Sequence, residues 1–267
     1  MVRKILGSFL IFFLLACTIK QPPLFSVSLN KDYAAQMRKE KSYWIEVQIP
    51  QHKLVLAKKD NVVKTYPIAV GMPSYPTPTG QRFINRIIWN PWWVPPKTSD
   101  WVEDPTPIAP RSANNPLGEI KMPLGNSYLI HGTKQVASIG QWASHGCIRM
   151  VYEDLFGLVS LLLSEYSKEL AVDMMEKANE TPHKEFFNKL DFDVPVFLTY
   201  DLVKIQNDYI VIYPDIYKKQ KDLAHYVVEV VNENLDKGKK VNERKVKSLL
   251  KLHKNQTIHV PLETILE

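Results

Sequence analysis

The heptapeptide SHGCIRM at residues 144–150, with the tripeptide HGT at residues 131–133, decides how this chain is interpreted. The two stretches hold one thiol, that of Cys147, and two histidines, His131 and His145. Only a thiolate attacks efficiently, so a base must take the thiol proton and return it later to a leaving group. We predict that Cys147 is the nucleophile and that His131, at the end of a predicted strand, is the base. His145 is predicted to support the geometry of the site or to contact the acyl group.

The residues around the thiol suit acyl transfer. Gly146 allows a close approach of the backbone to a substrate, or a φ angle that other residues resist. The N–H groups of residues 145–147 can then converge on one carbonyl oxygen as an oxyanion hole. Ser144 is predicted to hold this loop in shape, and Arg149 to bind a substrate carboxylate or to form a structural ion pair. Gly132 is predicted to free space beside the base, or to fix its tautomer through the Gly132 carbonyl group.

A metal site is the competing interpretation, because His131, His145 and Cys147 are all good zinc ligands. However, the sequence offers no fourth histidine or cysteine at ligand spacing, and a His-x-Cys pair alone is a weak metal signal. We therefore do not expect a metal ion at these residues.

The N-terminus has the pattern of an export signal. Two basic residues precede an apolar run at residues 5–16, which is shorter than the roughly 20 residues of a membrane-spanning helix. The run ends in LLAC, which resembles a lipobox and makes Cys17 the expected site of lipidation. We predict a signal peptide at residues 1–16 and a lipidated tether at residues 17–41. A plain signal peptide with a chance cysteine, or an uncleaved anchor, are the alternatives.

Cysteine count and charge narrow the class of protein further. The 267 residues include only two cysteines, so acylation of Cys17 leaves Cys147 without a partner in its own chain. A lone thiol is a liability in an exported protein unless it is buried or used, and its histidine neighbours favour use. The formal net charge of +6 suits an anionic wall polymer or membrane surface, but a lysine-rich solvated face explains it equally well. No compact basic cluster is interleaved with aromatic residues, so nucleic acid is not an expected partner.

Hydrophobic periodicity predicts strands and helices along the whole of residues 43–260, and the catalytic motifs all lie before about residue 165. We place a catalytic domain at residues 42–200 and an accessory region at residues 201–267. The predicted strands are residues 43–49, 53–57, 62–69, 81–89, 127–131, 194–199, 209–213 and 257–260. The predicted helices are residues 151–166, 170–189, 220–234 and 242–254.

Residues 89–110 hold four of the six tryptophans and six prolines. Such a stretch cannot form a regular helix or a central strand. We predict a stiff excursion whose rings either line a substrate groove or cover the core.

These motifs resemble the L,D-transpeptidases of the YkuD type, specifically the periplasmic Braun-lipoprotein-linking group. Besides the two histidine motifs, the resemblance rests on four stretches: PTG at 78–80, WVP at 93–95, NPLG at 115–118, and YLI at 128–130. It covers roughly residues 43–213. It implies a β-sandwich or barrel catalytic domain with a few helices, here followed by a helical C-terminal extension. It also implies Cys147 as nucleophile, His131 as proton acceptor and donor, and an oxyanion hole near residues 145–147.

The resemblance implies a cell-wall enzyme that forms an acyl-enzyme with a peptidoglycan tetrapeptide stem and needs neither a metal ion nor an organic cofactor. The acyl group would pass to an amine: a second stem, a D-amino acid, or a lysine of an outer-membrane lipoprotein. An L,D-carboxypeptidase, with water as acceptor, would have the same site residues. A non-catalytic peptidoglycan-binding lipoprotein is the alternative from another class. We expect the protein at the periplasmic face of a membrane as a lipoprotein, or otherwise soluble in the periplasm.

Overall fold

An eight-stranded sheet organises the first part of the chain. The computed structural model describes residues 42–96, 100–235 and 238–267. The strands of the large sheet are β1 (Tyr43–Gln48), β2 (Lys53–Lys58), β3 (Asn61–Pro67), β5 (Gly80–Trp89), β6 (Ile120–Pro123), β7 (Leu129–Gly132), β9 (Ile148–Met150) and β10 (Phe186–Thr199). Their order in the sheet is β3-β2-β1-β10-β5-β6-β7-β9. Two short strands, β4 (Val70–Gly71) and β8 (Trp142–Ser144), form a separate parallel pair.

One helix covers the core of this sheet. The helix α1 (Tyr152–Tyr166) begins two residues after β9, with Glu153 and Asp154 in its first turn, where acidic side chains favour the helix dipole. Its apolar side chains recur at helical spacing and are buried against the sheet, for example Leu155, Leu158 and Leu162. The strands predicted at residues 43–49, 53–57, 62–69, 81–89 and 127–131 and this predicted helix are therefore present with shifts of one or two residues at their ends. The strand predicted at residues 194–199 is only the C-terminal part of the longer β10. The fold of this part is mainly β, as expected.

The helix predicted for residues 170–189 is wrong in its second half. The helix α2 runs only over Ala171–Glu180, and β10 begins at Phe186. Pro182 follows one residue after the C-cap residue, Thr181, and proline at such a place prevents a helix from continuing. The pairing of Phe186 with Trp89 of β5 then fixes the chain as a strand.

The region after residue 202 has its own small core. It contains β11 (Val203–Gln206), β12 (Tyr209–Ile212) and β13 (Ile258–Pro261) in one antiparallel sheet, with the helices α3 (Leu223–Asn234) and α4 (Glu243–Leu252). The first hydrophobic cluster of the chain runs from Ile45 to Leu202, and the second from Val203 to Ile265. The helical extension thus has a three-stranded sheet beside its two predicted helices. The domain division at residues 200 and 201 stays a prediction.

The predicted signal peptide, the lipidated Cys17 and the tether lie at residues 1–41, outside the described residues. Within the described ranges, no helix is both long enough and apolar enough to cross a membrane.

Candidate active site

Two neighbouring parallel strands bring the predicted nucleophile and base to one face of the sheet. His131 of β7 pairs with Arg149 of β9, and Ile130 pairs with Ile148. Because side chains two residues apart share a face, Cys147 lies on the same side as Arg149, beside His131. All three side chains line one open cleft of about 720 Å³.

His131 is held as a neutral imidazole with one defined tautomer. Its side chain is almost fully buried, 4% exposed, and Nδ1 lies 2.7 Å from the carbonyl oxygen of Gly132. A carbonyl oxygen can only accept, so Nδ1 carries the proton and Nε2 keeps a free lone pair. Burial lowers the pKa of His131 to about 4, against the opposing effect of the backbone hydrogen bonds with Gly132 and Leu117, and the nearby positive charge of Arg149 lowers it further. The ring is therefore uncharged at neutral pH and can accept a proton at Nε2.

Cys147 rests as a neutral thiol. Burial raises the pKa of its thiol, although a backbone hydrogen bond from Leu129 and the charge of Arg149 oppose that effect. The sulfur donates to the carbonyl oxygen of Ser127 at 3.8 Å. Among the hydrogen bonds of the described residues, none joins the sulfur to His131. The resting pair is thus a neutral thiol with a neutral imidazole, and a proton must move before attack.

A closed turn carries Cys147. The N–H of Gly146 donates to Ser144 Oγ at 3.1 Å, and this hydroxyl donates in turn to the carbonyl oxygen of Cys147 at 2.5 Å. Gly146 has a φ of +99°, and a Cβ there would lie 2.7 Å from Cε1 of Tyr128. Only glycine fits such a position without strain. Since the Gly146 N–H is engaged, the N–H groups of His145 and Cys147 are the remaining candidates for an oxyanion hole.

Thr77 holds the other side of this turn, and sequence reasoning missed it. Its Oγ1 accepts from the N–H of Gly71 at 2.8 Å and donates to the carbonyl oxygen of Gly146 at 3.0 Å. Its side chain is fully buried. The only sequence signal was its place beside the predicted turn at residues 78–80, inside a proline-rich loop.

An aromatic wall closes one side of the cleft. The ring of His145 stacks on Trp101, with centroids 3.9 Å apart and planes 14° apart, and also contacts Tyr75. The hydroxyl of Tyr75 donates to Asp100 at 2.8 Å. Trp92, Trp93 and Trp101 line the cleft, whereas Trp89 is buried and donates through Nε1 to Asn188. Within the tryptophan-rich stretch, some rings thus line the cleft and one is buried in the core; that the cleft binds a substrate stays a prediction.

The cleft carries both signs of charge. Arg149 is half-buried and donates through Nη1 to the amide oxygen of Gln135 at 3.1 Å; burial lowers its pKa. Lys121 also lines the cleft and forms an ion pair with Glu185, and Asp100 stands at the aromatic wall. Across the ranges that the structure describes, no three His, Cys, Asp or Glu side chains are grouped to hold a metal ion.

Residues 42–169 match the model of the YkuD family, described as the L,D-transpeptidase catalytic domain. The chain is 36% identical over 121 residues to the L,D-transpeptidase YkuD of Bacillus subtilis, a match that covers 45% of this chain and 60% of that protein. It is 32% identical over 104 residues to the L,D-transpeptidase YbiS of Escherichia coli, covering 37% of this chain and 34% of that protein. The chain thus spans three fifths or less of the length of these relatives. Among solved structures, the catalytic domain of the Enterococcus faecium L,D-transpeptidase is similar over 60% of this chain and 99% of that one, with 18% identity and a TM-score of 0.35.

Proposed function

We propose that this chain, whose residues 42–169 match the model of the YkuD family of L,D-transpeptidase catalytic domains, is a member of that family and a cell-wall L,D-transpeptidase that uses Cys147 as its nucleophile. One observation carries the proposal. His131 of β7 and Cys147, the residue directly before the paired parallel strand β9, line the same cleft, and the Gly132 carbonyl group fixes the His131 tautomer that leaves Nε2 free. The substrate class is a tetrapeptide stem of peptidoglycan.

The first half of the reaction forms an acyl-enzyme. The thiol proton of Cys147 passes to His131 Nε2 as the sulfur attacks the carbonyl carbon before the terminal D-amino acid. A C–S bond forms, and the carbonyl electron pair moves onto oxygen, where backbone N–H groups stabilise it. The intermediate then collapses, the C–N bond breaks, and the leaving amine takes the proton from His131.

The second half returns the enzyme to its starting state. An acceptor amine attacks the thioester and gives a proton to His131 Nε2. A new C–N bond forms, the C–S bond breaks, and the sulfur recovers a proton from the imidazolium. Water in place of the amine gives hydrolysis, so a cleft that binds an amine favours transfer over hydrolysis.

The charges of the cleft suit this substrate. Arg149 lines the cleft beside His131 and Cys147, and among the described side chains no carboxylate forms an ion pair with it. A guanidinium binds a carboxylate with two parallel hydrogen bonds. We propose that Arg149 binds a carboxylate group of the donor stem. The acceptor is an amine of a second stem, a D-amino acid or a lipoprotein lysine, and the test below distinguishes them.

Replacing the thiol tests the proposal directly. The purified full chain is incubated with a disaccharide-tetrapeptide, with and without a D-amino acid or a lysine peptide, and the products are analysed by mass spectrometry. The Cys147→Ala variant is expected to lose at least about a thousandfold in rate, because no other group can form the acyl-enzyme. Cys17→Ala, which removes the only other cysteine, is the matched control and keeps its activity in detergent.

The products separate the candidate reactions. Crosslinked stems, exchanged D-amino acids or a stem attached to the lysine peptide identify transfer and its acceptor. If only tripeptides form, whichever amine is added, the protein is an L,D-carboxypeptidase and not a transpeptidase. Full activity of Cys147→Ala would refute the cysteine mechanism.

We further propose that the protein is exported and anchored by lipid at Cys17, which places the cleft on the periplasmic face of a membrane. The short apolar run at residues 5–16, which stops at Cys17, supports this. Palmitate labelling is expected for the wild type and not for Cys17→Ser, and globomycin is expected to block processing. Unchanged membrane partitioning of Cys17→Ser would contradict the anchor.

A further inference from the structure

Tyr217 lies between β12 and α3, outside the residues that match the family model. Its ring stacks on Tyr200, with centroids 5.0 Å apart and planes 9° apart, and meets the ring of Trp142 edge-on at 4.9 Å. Its backbone N–H donates to the hydroxyl of Tyr200 at 2.8 Å. These contacts fix the direction in which the Tyr217 hydroxyl points.

The Tyr217 hydroxyl group bridges the two ends of the loop at residues 71–77, which packs against the turn at residues 144–147. It donates to the carbonyl oxygen of Gly71 at 2.7 Å and accepts from the N–H of Thr77 at 3.1 Å. The loop is tight, because a Cβ at Gly71 would lie 2.2 Å from the carbonyl oxygen of Tyr75. Tyr217 therefore joins both ends of the loop by one hydroxyl group.

Thr77 passes this constraint to the peptide that precedes the thiol. Its Oγ1 donates to the carbonyl oxygen of Gly146 at 3.0 Å. The peptide bond is planar and trans, so the Gly146 carbonyl and the Cys147 N–H point in opposite directions from the same plane. Holding the carbonyl with Thr77 thus aims the Cys147 N–H towards the other side of the turn.

We infer that Tyr217 is a positioning residue of the active site, which acts through Thr77 to aim the Cys147 N–H at the oxyanion of the reacting carbonyl. The inference rests on the proposed function, because it takes Cys147 as the acylated residue. It gives the segment after β12 a part in catalysis although no atom of Tyr217 touches the substrate. A preorganised donor stabilises the transition state more than the bound substrate, so its loss lowers kcat and leaves KM unchanged.

The test compares variants that remove single hydroxyl groups. Tyr217→Phe keeps the ring contacts and removes the hydroxyl, Thr77→Val removes the next link, and Thr77→Ser keeps that link. Tyr213→Phe is the matched control, since Tyr213 lies in the same segment, packs on the same core and takes no part in these contacts. For each full-length variant, kcat and KM are measured for stem transfer, acylation by a carbapenem is followed by mass spectrometry, and Cys147 alkylation by iodoacetamide is timed.

We expect Tyr217→Phe and Thr77→Val each to lower kcat and the carbapenem acylation rate by about 5- to 20-fold, with KM within about twofold. Tyr213→Phe keeps the wild-type rates, and Thr77→Ser, which retains the hydroxyl group, loses less kcat than Thr77→Val. Alkylation by iodoacetamide is unchanged throughout, because displacement at a saturated carbon forms no oxyanion. The double variant Tyr217→Phe/Thr77→Val is no slower than Thr77→Val alone, because both changes break one path.

Three outcomes would overturn the inference: a kcat of Tyr217→Phe equal to that of Tyr213→Phe, alkylation slowed as much as acylation, or multiplied effects in the double variant. The proposed function is judged separately by Cys147→Ala in the same assays. If that variant keeps wild-type activity, or if neither the stem nor the carbapenem acylates Cys147 in the wild type, the proposed function fails and the inference fails with it. If Cys147→Ala is inactive and Tyr217→Phe is not impaired, only the positioning role is lost.

Discussion

The two hydrophobic clusters of this chain are built alike but are used differently. In each region a sheet is covered by helices. Each region also has a glycine with nearly the same left-handed backbone, Gly146 at φ +99° in the first and Gly238 at φ +98° in the second. A Cβ at Gly146 would meet the ring of Tyr128 and the carbonyl oxygen of Pro76, whereas a Cβ at Gly238 meets nothing within 4 Å. The same local conformation is therefore a requirement of the site in one region and only a turn in the other.

The largest expected effect comes from removing the proposed base. His131→Gln leaves the thiol without an acceptor for its proton and is expected to lower kcat/KM for stem transfer by about 100- to 10,000-fold. His259→Gln, a change in β13 of the second region, is expected to have no effect in the same assay. A rate for His131→Gln within tenfold of the wild type would mean that another group takes the proton.

The two glycines allow the most direct comparison of the regions. Gly238→Ala adds only backbone strain, which costs about 1 kcal/mol of unfolding free energy. Gly146→Ala adds the same strain and also forces Tyr128 to move, so we expect a larger loss of stability and a fall in kcat of about 10- to 100-fold. Urea unfolding and stem-transfer kinetics of the two variants provide the measurement. Equal losses of stability in both variants, with activity retained, would remove the distinction between the two regions.

The smallest expected effect is that of pH on the stability of the fold, and it arises from histidines of the first region. Burial lowers the pKa of both His52 and His131 to about 4, well below the value of an unfolded histidine. Between pH 6.5 and 4 the unfolded chain therefore binds more protons than the folded chain, and stability falls as the pH is lowered through this window.

His52 allows this effect to be isolated without touching the cleft. It has a φ of +51°, which asparagine also tolerates, and its Nε2 is buried without a hydrogen-bond partner. His52→Asn is expected to reduce the drop in Tm between pH 7 and pH 5 by about 2–4 °C. Thermal unfolding is followed by near-ultraviolet circular dichroism at each pH. If Tm falls with pH equally in the wild type and in the variant, His52 is not the cause of the pH dependence.

Sequence patterns predicted the parts of the fold that depend on neighbouring residues. The β2–β3 hairpin, the strand leading into His131 and the helix α1 all follow from local periodicity and turn residues. The predicted nucleophile and base line one cleft for a simple reason: their motifs lie on strands that pair directly. Their chemical roles stay predictions until the variants are measured.

Long-range contacts were not accessible in the same way. Thr77 and Tyr217 carry no motif, and their importance comes from hydrogen bonds between segments 140 residues apart. The continuous strand β10 was missed at its start, because residues 183–189 contain good helix formers and only pairing with β5 overrides them. The sequence does not predict the hydrogen bond from the Gly146 N–H to Ser144 Oγ either, because this bond depends on the backbone geometry of the turn.

The place of β10 in the sheet also sets the order in which the molecule can be assembled. β10 pairs with β1 on one side and with β5 on the other, so it joins strands made about a hundred residues or more before it. During synthesis the sheet therefore exists as two separate groups of strands, β3-β2-β1 and β5-β6-β7-β9. Their unpaired edges can pair wrongly until β10 has been synthesised as far as Thr199. The residues that match the family model end at 169, so a nascent chain of that length already contains every reacting group but lacks the strand that joins its two halves.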